Sequence, residues 1–540
     1  MRLSSLLAGV AVAFAASARA LPKEDGTRFF VKGVAYQEMG SVVTTDDEFQ
    51  EPDTFIDPLA NPNFCERDVP YLKQLGVNAV RVYSVDPSLN HDGCMSQFEA
   101  AGIYTIIDLS QPLNGSIDRA APKWTSNLLD LYLQTIDTFS GYSNVLAYTV
   151  GNEIVRDVPS TVAGPFIKAA VRDVKAYIKS KGYSQLVTYA STDGPDWVMA
   201  LATYLSCGDE GTTVDMYGLN NYRWKGDATE SVYDSVNQNF GSLNVPVYFS
   251  EFGSPASPPR LFTEVDALFG DTMSQIWSGG LAFAYFQSIQ SGFGLVDIST
   301  DGKTVTPNED FTRLQQHYTS VTFATTPSQA DAGTTQYPTC TAADPTVFVG
   351  SLTLPPTPNQ DACNCAVQKA FACIFNPQTV NTSAILGPLF DFTCPALGKL
   401  NSNACDALSA DGAAGKYGPL SSCDPESQLS YVFTAYYTAN NMDAASCNFA
   451  GNATLNPNAP TTVDAANAAA TSCLASAQGV SVPTGPSKPA ESSATGGKGN
   501  TTTGGSSSGG DGAAFRNGYS VAAVVASIAF ALLGAFAVIL

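Results

Sequence analysis

The sequence predicts an α/β protein: a (β/α)8 barrel of the TIM type, followed by a small, disulfide-rich, mainly helical module. Three observations carry that expectation. Apolar, β-branched runs alternate with amphipathic helical stretches from Arg28 to Gln287. Two of those runs close on a glutamate, Glu153 in Val-Leu-Ala-Tyr-Thr-Val-Gly-Asn-Glu and Glu251 in Val-Pro-Val-Tyr-Phe-Ser-Glu-Phe-Gly. Most of the 12 cysteines crowd between Cys363 and Cys473.

In chain order the strand candidates are Phe29–Tyr36, Asn78–Val82, Tyr104–Leu109, Val145–Val150, Leu186–Ala190, Val214–Leu219, Val247–Ser250 and Leu281–Phe286. Each is a short apolar run bounded by polar or turn residues. Helical patterns fall between them, including Asp68–Leu75, Asn127–Phe139, Pro165–Lys179, Trp197–Leu205 and Thr263–Trp277. A doubly wound open sheet is the structural alternative, but no Gly-x-Gly-x-x-Gly turn follows an early strand.

The ends read as processing signals. Residues 1–20 hold a basic start, an apolar Ala-rich run and Ala18-Arg19-Ala20, the pattern of a secretory signal peptide. The barrel domain is assigned to 21–345, with a Thr/Ser/Ala-rich exit at Ala324–Tyr337 and a short linker at Pro355–Gln360. The Cys-rich module spans 361–478 and a Ser/Thr/Gly-rich linker 479–511, whose composition cannot bury enough surface to fold. Residues 512–540 put small residues and a short polar stretch before an uncharged apolar tail, the order of a GPI-attachment signal. A tail-anchored span is the rival reading, and it lacks the usual inner Lys/Arg cluster.

Lys and Arg number 27 against 49 Asp and Glu, a formal charge of −22. Such a surface disfavours nucleic acid and suits a neutral polymer. With only His91 and His317, multi-His zinc sites and a Ser-His-Asp triad have little to draw on, and no metal or cofactor is expected. Cysteine usage and sequons at Asn114, Asn381, Asn452 and Asn500 fit an oxidising, secreted setting.

In a barrel the working residues lie at the C-terminal strand ends. Gln37, Tyr83, Asp108, Asn152, Glu153, Asn220, Asn221, Tyr222 and Glu251 all fall there. Two carboxyl groups about 5 Å apart are what retaining glycosyl transfer needs, one as nucleophile and one donating then recovering a proton. The acid is expected to have its pKa raised, and the nucleophile to stay ionised. Asn152 is placed to bond a sugar 2-hydroxyl, and Tyr83, Tyr222 and Trp224 to offer flat faces to pyranose rings.

These residues resemble the fungal GPI-anchored β-1,3-glucanosyltransferases of glycoside hydrolase family 72. The matching stretches are Gly33-Val34-Ala35-Tyr36-Gln37, Asp57-Pro58-Leu59-Ala60, Leu75 to Tyr83, Gly151-Asn152-Glu153, Gly218-Leu219-Asn220-Asn221-Tyr222 and Ser250-Glu251-Phe252-Gly253. The resemblance implies Glu153 as acid/base and Glu251 as nucleophile. Gln37, Tyr83, Asp108, Asn152, Asn221, Tyr222 and Tyr285 would bind substrate, and Cys65–Cys94 and Cys207–Cys340 would be disulfides. It further implies β-1,3-glucan donor and acceptor chains, membrane contact through a GPI lipid only, a monomer, and a place on the outer face of the plasma membrane and in the cell wall. The chain departs from the family pattern where Lys225 and Ser254 replace two cysteines, and where Phe283 replaces a common Tyr.

The Cys-rich segment resembles a carbohydrate-binding module of family 43. Its eight cysteines allow roughly a hundred pairings, so connectivity stays open. Tyr431, Tyr436 and Tyr437 are candidates for a sugar-stacking surface, and their helical spacing equally suits packing.

Overall fold

The computed structural model describes residues 21–22, 27–38, 54–112, 115–195, 197–288, 292–326, 335–342, 344–379 and 382–486. The expected signal peptide, Asn114, Asn381, Asn500, most of the 479–511 linker and all of 512–540 lie outside them. Eight parallel strands close a barrel: β1 (Val31–Ala35), β2 (Ala79–Val82), β3 (Tyr104–Asp108), β4 (Val145–Asn152), β5 (Leu186–Thr192), β6 (Met216–Asn220), β7 (Val247–Phe252) and β8 (Trp277–Ala282). β8 pairs with β1 to complete the ring.

Strand alternation sorts the side chains. Val31, Ala79, Ile106, Ala147, Leu186, Met216, Tyr248 and Leu281, one per strand, plug the interior. Their neighbours, such as Val80, Ile107, Tyr148, Val187, Tyr217 and Phe249, pack outward under the helices. Helix α1 (Pro62–Leu75) starts on an Asn61 cap and stops at Gly76, whose φ of 70° is left-handed. α2 (Asp92–Ala100) is tied to α1 by Cys65–Cys94. α3 (Ser126–Phe139), α4 (Gly164–Lys181) and α5 (Trp197–Ser206) follow close to their expected bounds.

The expected helix Thr263–Trp277 is not one helix. It breaks into α6 (Glu264–Leu268) and a turn at Met273–Gln275, and Trp277 opens β8. A Cβ at Gly270 would stand 2.7 Å from the Asp266 carbonyl oxygen, so the chain turns tightly there. The last strand is likewise four residues earlier than expected, at Trp277–Ala282 instead of Leu281–Phe286. Gly279 and Gly280 read as punctuation but lie inside the strand. Gly279 has φ 80° and a Cβ there would meet the Val31 oxygen at 2.2 Å, a close approach only glycine permits.

The module contains α7 (Gln360–Lys369), α8 (Thr382–Lys399), α9 (Pro425–Ala439) and α10 (Val463–Leu474), with small antiparallel pairs formed by Cys373–Phe375 with Ala453–Leu455 and by Ala410–Asp411 with Lys416–Tyr417. Its disulfides are Cys363–Cys423, Cys365–Cys473, Cys373–Cys447 and Cys394–Cys405; in the barrel, Cys207 bonds Cys340. Barrel and module share a polar seam. Arg172 of α4 donates to the Pro355 carbonyl at 2.9 Å and pairs with Asp173. Asp173 accepts from Trp124 Nε1 at 2.9 Å and from Thr357 Oγ1 at 2.7 Å. The Ser126 amide donates to the Ser422 carbonyl at 2.9 Å. The linker is therefore pinned along the barrel, not free.

Candidate active site

Both carboxylate-bearing strands carry one extra residue at their C-terminal ends. Between β6 and β7, Gly218 faces Tyr248 and Asn220 faces Glu251, a step of two against three. Between β4 and β5, Thr149 faces Thr188 and Asn152 faces Ala190. Such bulges re-aim side chains. Strict alternation from interior Tyr248 would send Glu251 outward; the extra residue returns it to the face of Asn220. Glu153, just past β4, adopts φ 50°, a left-handed conformation uncommon for Glu, and its amide donates to the Ala190 carbonyl at 2.9 Å.

Arg81 is the hub beneath the mouth. It is fully buried, and its Nε and Nη2 form a fork onto Asp108 at 3.0 and 2.7 Å. Nη1 donates to Glu251 Oε1 at 3.2 Å and Nη2 to Asn152 Oδ1 at 2.9 Å. One guanidinium thus ties the ends of β2, β3, β4 and β7 together. Asn220 extends the chain, its Nδ2 donating to Asn152 Oδ1 at 3.1 Å and Glu153 Oε1 at 2.8 Å, while Ser250 donates to its Oδ1 at 2.7 Å. With its carbonyl oxygen taken twice, Asn152 keeps its NH2 to donate to a ligand.

Glu251 is 6 % exposed and also accepts from the Tyr83 hydroxyl at 2.8 Å and the Tyr222 hydroxyl at 2.7 Å. Burial pushes its carboxyl up to about 7; Arg81 opposes that, Glu153 adds to it, and the two tyrosines oppose it. The sequence leads one to expect the nucleophile to stay ionised, yet burial beneath the cleft raises Glu251. The Glu153 side chain is 22 % exposed. The cleft has a volume of about 460 Å3 and is lined by Glu153, Thr192, Asp193, Asn220, Tyr222, Arg223 and Lys225.

Several expected substrate contacts are placed elsewhere. Asp108 is buried with both oxygens on Arg81, so it positions the guanidinium. Tyr285 is fully buried beyond the true end of β8, donating to Asp68 at 3.3 Å and packed against Tyr36 and Phe286. Asn221 is buried and holds its own loop, donating to Asp193 and accepting from the Arg223 amide. Gln37 accepts from the amides of Tyr83 and Ser84 and donates to the Ile56 carbonyl, stapling the β1 and β2 loops. Trp224 is buried, stacked on Tyr233. Tyr431, Tyr436 and Tyr437 are half-buried on α9; Tyr431 packs on Phe371 and Tyr436 on Phe392 and Phe449.

Sequence reasoning missed Arg81 and left Asn220 out of the binding set. The signal for Arg81 was present: a lone cation in Ala79-Val80-Arg81-Val82 must be paired if that run is a buried strand. Among the described residues no group of three or more His, Cys, Asp or Glu is placed to hold a metal ion.

A closed barrel with two strand-end carboxylates joined through an arginine and two asparagines defines a glycoside-processing enzyme class. The family described as Glucanosyltransferase, glycoside hydrolase 72, matches residues 11–322, and the X8 domain matches 371–454. The 1,3-beta-glucanosyltransferase gas1 of Schizosaccharomyces pombe is 40% identical over 437 residues, spanning 80% of this chain and 76% of that protein. The 1,3-beta-glucanosyltransferase GAS2 of Saccharomyces cerevisiae is 36% identical, spanning 77% and 74%. Solved structures agree: Saccharomyces cerevisiae Gas2p in complex with laminaripentaose has a TM-score of 0.72 at 34% identity, covering 82% of this chain and 96% of that one. A Gas2p mutant in complex with laminaritetraose and laminaripentaose gives 0.74 at 32% identity, covering 85% and 98%. This chain belongs to the glycoside hydrolase family 72 glucanosyltransferases.

Proposed function

We propose that this chain is a retaining β-1,3-glucanosyltransferase that cuts β-1,3-glucan internally and joins the released glycosyl group to the non-reducing end of another β-1,3-glucan. Glu251 is the nucleophile: a carboxylate oxygen attacks the anomeric carbon while Glu153 protonates the departing glycosidic oxygen. The reducing-side fragment leaves, and the rest stays as a glycosyl ester on Glu251. Glu153, now a carboxylate, takes the proton of an acceptor hydroxyl as that oxygen attacks the same carbon and frees Glu251. Asn152 donates its NH2 to the sugar 2-hydroxyl, and Tyr83 and Tyr222 flank the donor sugar.

The observation that carries the assignment is the set of groups on Glu251. Arg81, Tyr83 and Tyr222 all donate to it, each favouring its ionised form against the burial that raises it. Glu153 instead faces the open cleft, where a leaving group and then an acceptor must exchange protons with it.

The apolar runs near the two ends and the six disulfides support a secreted enzyme held by a GPI lipid on the outer face of the plasma membrane and in the cell wall. The test is to incubate the soluble ectodomain with a defined laminari-oligosaccharide and size the products. Species longer than the input are expected. Shorter species alone would mean an endo-β-1,3-glucanase, and an unchanged substrate a non-catalytic glucan-binding surface protein.

A further inference from the structure

The cleft carries two cations, Arg223 and Lys225, that the mechanism above does not use. Arg223 is locked: Nη2 donates to Asp193 Oδ1 at 2.8 Å, Nε to Asp193 Oδ2 at 2.5 Å, and Nη1 to Ser235 Oγ at 2.6 Å. Asn221 Nδ2 adds a contact to Asp193 Oδ2 at 3.3 Å, so the pair is fixed from two sides. Two residues on, Lys225 also lines the cleft and is exposed. Its backbone is held by its neighbours. Trp224 stacks on Tyr233 with ring centroids 5.6 Å apart, and its Nε1 donates to the Gly226 carbonyl and to Thr263 Oγ1, each at 3.1 Å. Yet among the described residues no carboxylate lies within ion-pair distance of the Lys225 ammonium. Lys225 is thus an exposed cation on a pinned loop in the same cleft as Glu153, positioned to donate to a bound sugar.

The side of the cleft identifies that sugar. Glu153 lines the cleft, whereas Glu251 lies below it and is not part of the lining. Tyr222, also in the lining, bonds Glu251, so the cleft runs from the donor sugar to Glu153, and the proton donor stands on the side where one sugar departs and another replaces it. We propose that Lys225, beside the fixed Asp193–Arg223 pair, is the specificity-determining residue for the acceptor: it donates hydrogen bonds to hydroxyls of the incoming non-reducing-end glucosyl unit and so sets how well that sugar competes with water for the glycosyl ester. The inference rests on the transferase reading and deepens it.

The experiment follows a laminari-oligosaccharide donor with increasing acceptor, measuring the ratio of transfer to hydrolysis products and the acceptor KM. Lys225→Met is expected to lower the ratio about fivefold or more below saturation and to raise the acceptor KM, because three charge-assisted donors are lost. Lys225→Arg should recover part of the ratio. Lys369→Ala, an exposed lysine on the module helix α7, should leave both quantities unchanged and controls for net charge. An unaltered ratio and acceptor KM in Lys225→Met overturn the assignment while leaving the transferase reading intact. Absence of longer products from the unsubstituted enzyme overturns both.

Discussion

The barrel and the module solve the burial of polar and aromatic groups in different ways. In the barrel, a charged hub is sunk among fully buried side chains and satisfied by partners on three other strands. In the module, four disulfides run through a small apolar cluster, and Tyr431, Tyr436 and Tyr437 stay half-buried at its edge. A closed sheet fixes side chains to a face by alternation and to a height by register, so it can hold a carboxylate where chemistry needs it. A cross-linked cluster fixes the backbone without fixing such a constellation. The barrel is thereby suited to catalysis, and the module to holding a shape.

The largest test of that contrast removes one charge from each catalytic carboxyl. Glu251→Gln and Glu153→Gln are each expected to lower kcat/KM on laminari-oligosaccharide by a factor of about 10^3 or more, equivalent to at least ~4 kcal/mol of transition-state stabilisation. The two should separate on a donor with a good leaving group, which needs little protonation. Glu153→Gln should form the glycosyl ester on such a donor, and Glu251→Gln should not. Equal losses on both donors would argue against the assigned roles.

Next in size is the hub itself. Arg81→Met strands Asp108 and Glu251 in a buried site and should cost about 3–5 kcal/mol in denaturant titration, besides abolishing turnover. Arg81→Met with Asp108→Asn should recover part of the stability but none of the activity. In the module, converting both Cys373 and Cys447 to Ser is expected to cost about 2–5 kcal/mol. Because the linker is pinned at Arg172, Asp173 and Thr357 and the Ser126 amide bonds Ser422 of the module, that loss should appear as one cooperative transition. Two resolved transitions would show that the module melts by itself.

How much of this was legible differs between the regions for the same reason. Eight strands, their order and the positions of Glu153 and Glu251 follow from apolar runs and strand-end logic. Glu251's inward aim does not, since strict alternation from Tyr248 points it out and only the extra residue in β7 restores it. Tyr285 was misplaced with β8, because glycines demanded by close strand approach look like turn signals. Asp108, Gln37 and Asn221 were rightly placed near the rim, but their partners are set by contacts between distant loops, which no local pattern encodes. In the module the cysteine count foretold a stapled domain, while the pairings depend on the folded backbone alone.

The smallest test sets two tyrosine hydroxyls against each other. Tyr222→Phe removes a donor to Glu251 Oε2, and Tyr417→Phe removes one to the Thr353 carbonyl at 2.7 Å. The Tyr222 hydroxyl favours the ionised form of a carboxyl that burial holds at about 7 against an ordinary value of 4.5. Losing it disfavours the anion, so the acid limb of kcat/KM should move to higher pH, by about half a unit to one unit. Stability carries the opposite sign. A carboxyl whose folded pKa is raised binds its proton more tightly in the native state, so its contribution is fully present below 4.5 and is lost as pH rises through about 7. Lowering pH from 7 towards 5 should therefore stabilise the fold as it slows catalysis. Glu264, also raised to about 7 by burial, adds to that trend, and comparison with Glu264→Gln isolates the Glu251 share. Tyr417→Phe should cost about 1 kcal/mol of stability and leave the pH profile where it is, since its hydroxyl braces a linker and touches no titrating group. An acid limb that stays fixed in Tyr222→Phe would mean that Glu251 is not the group titrating in the free enzyme.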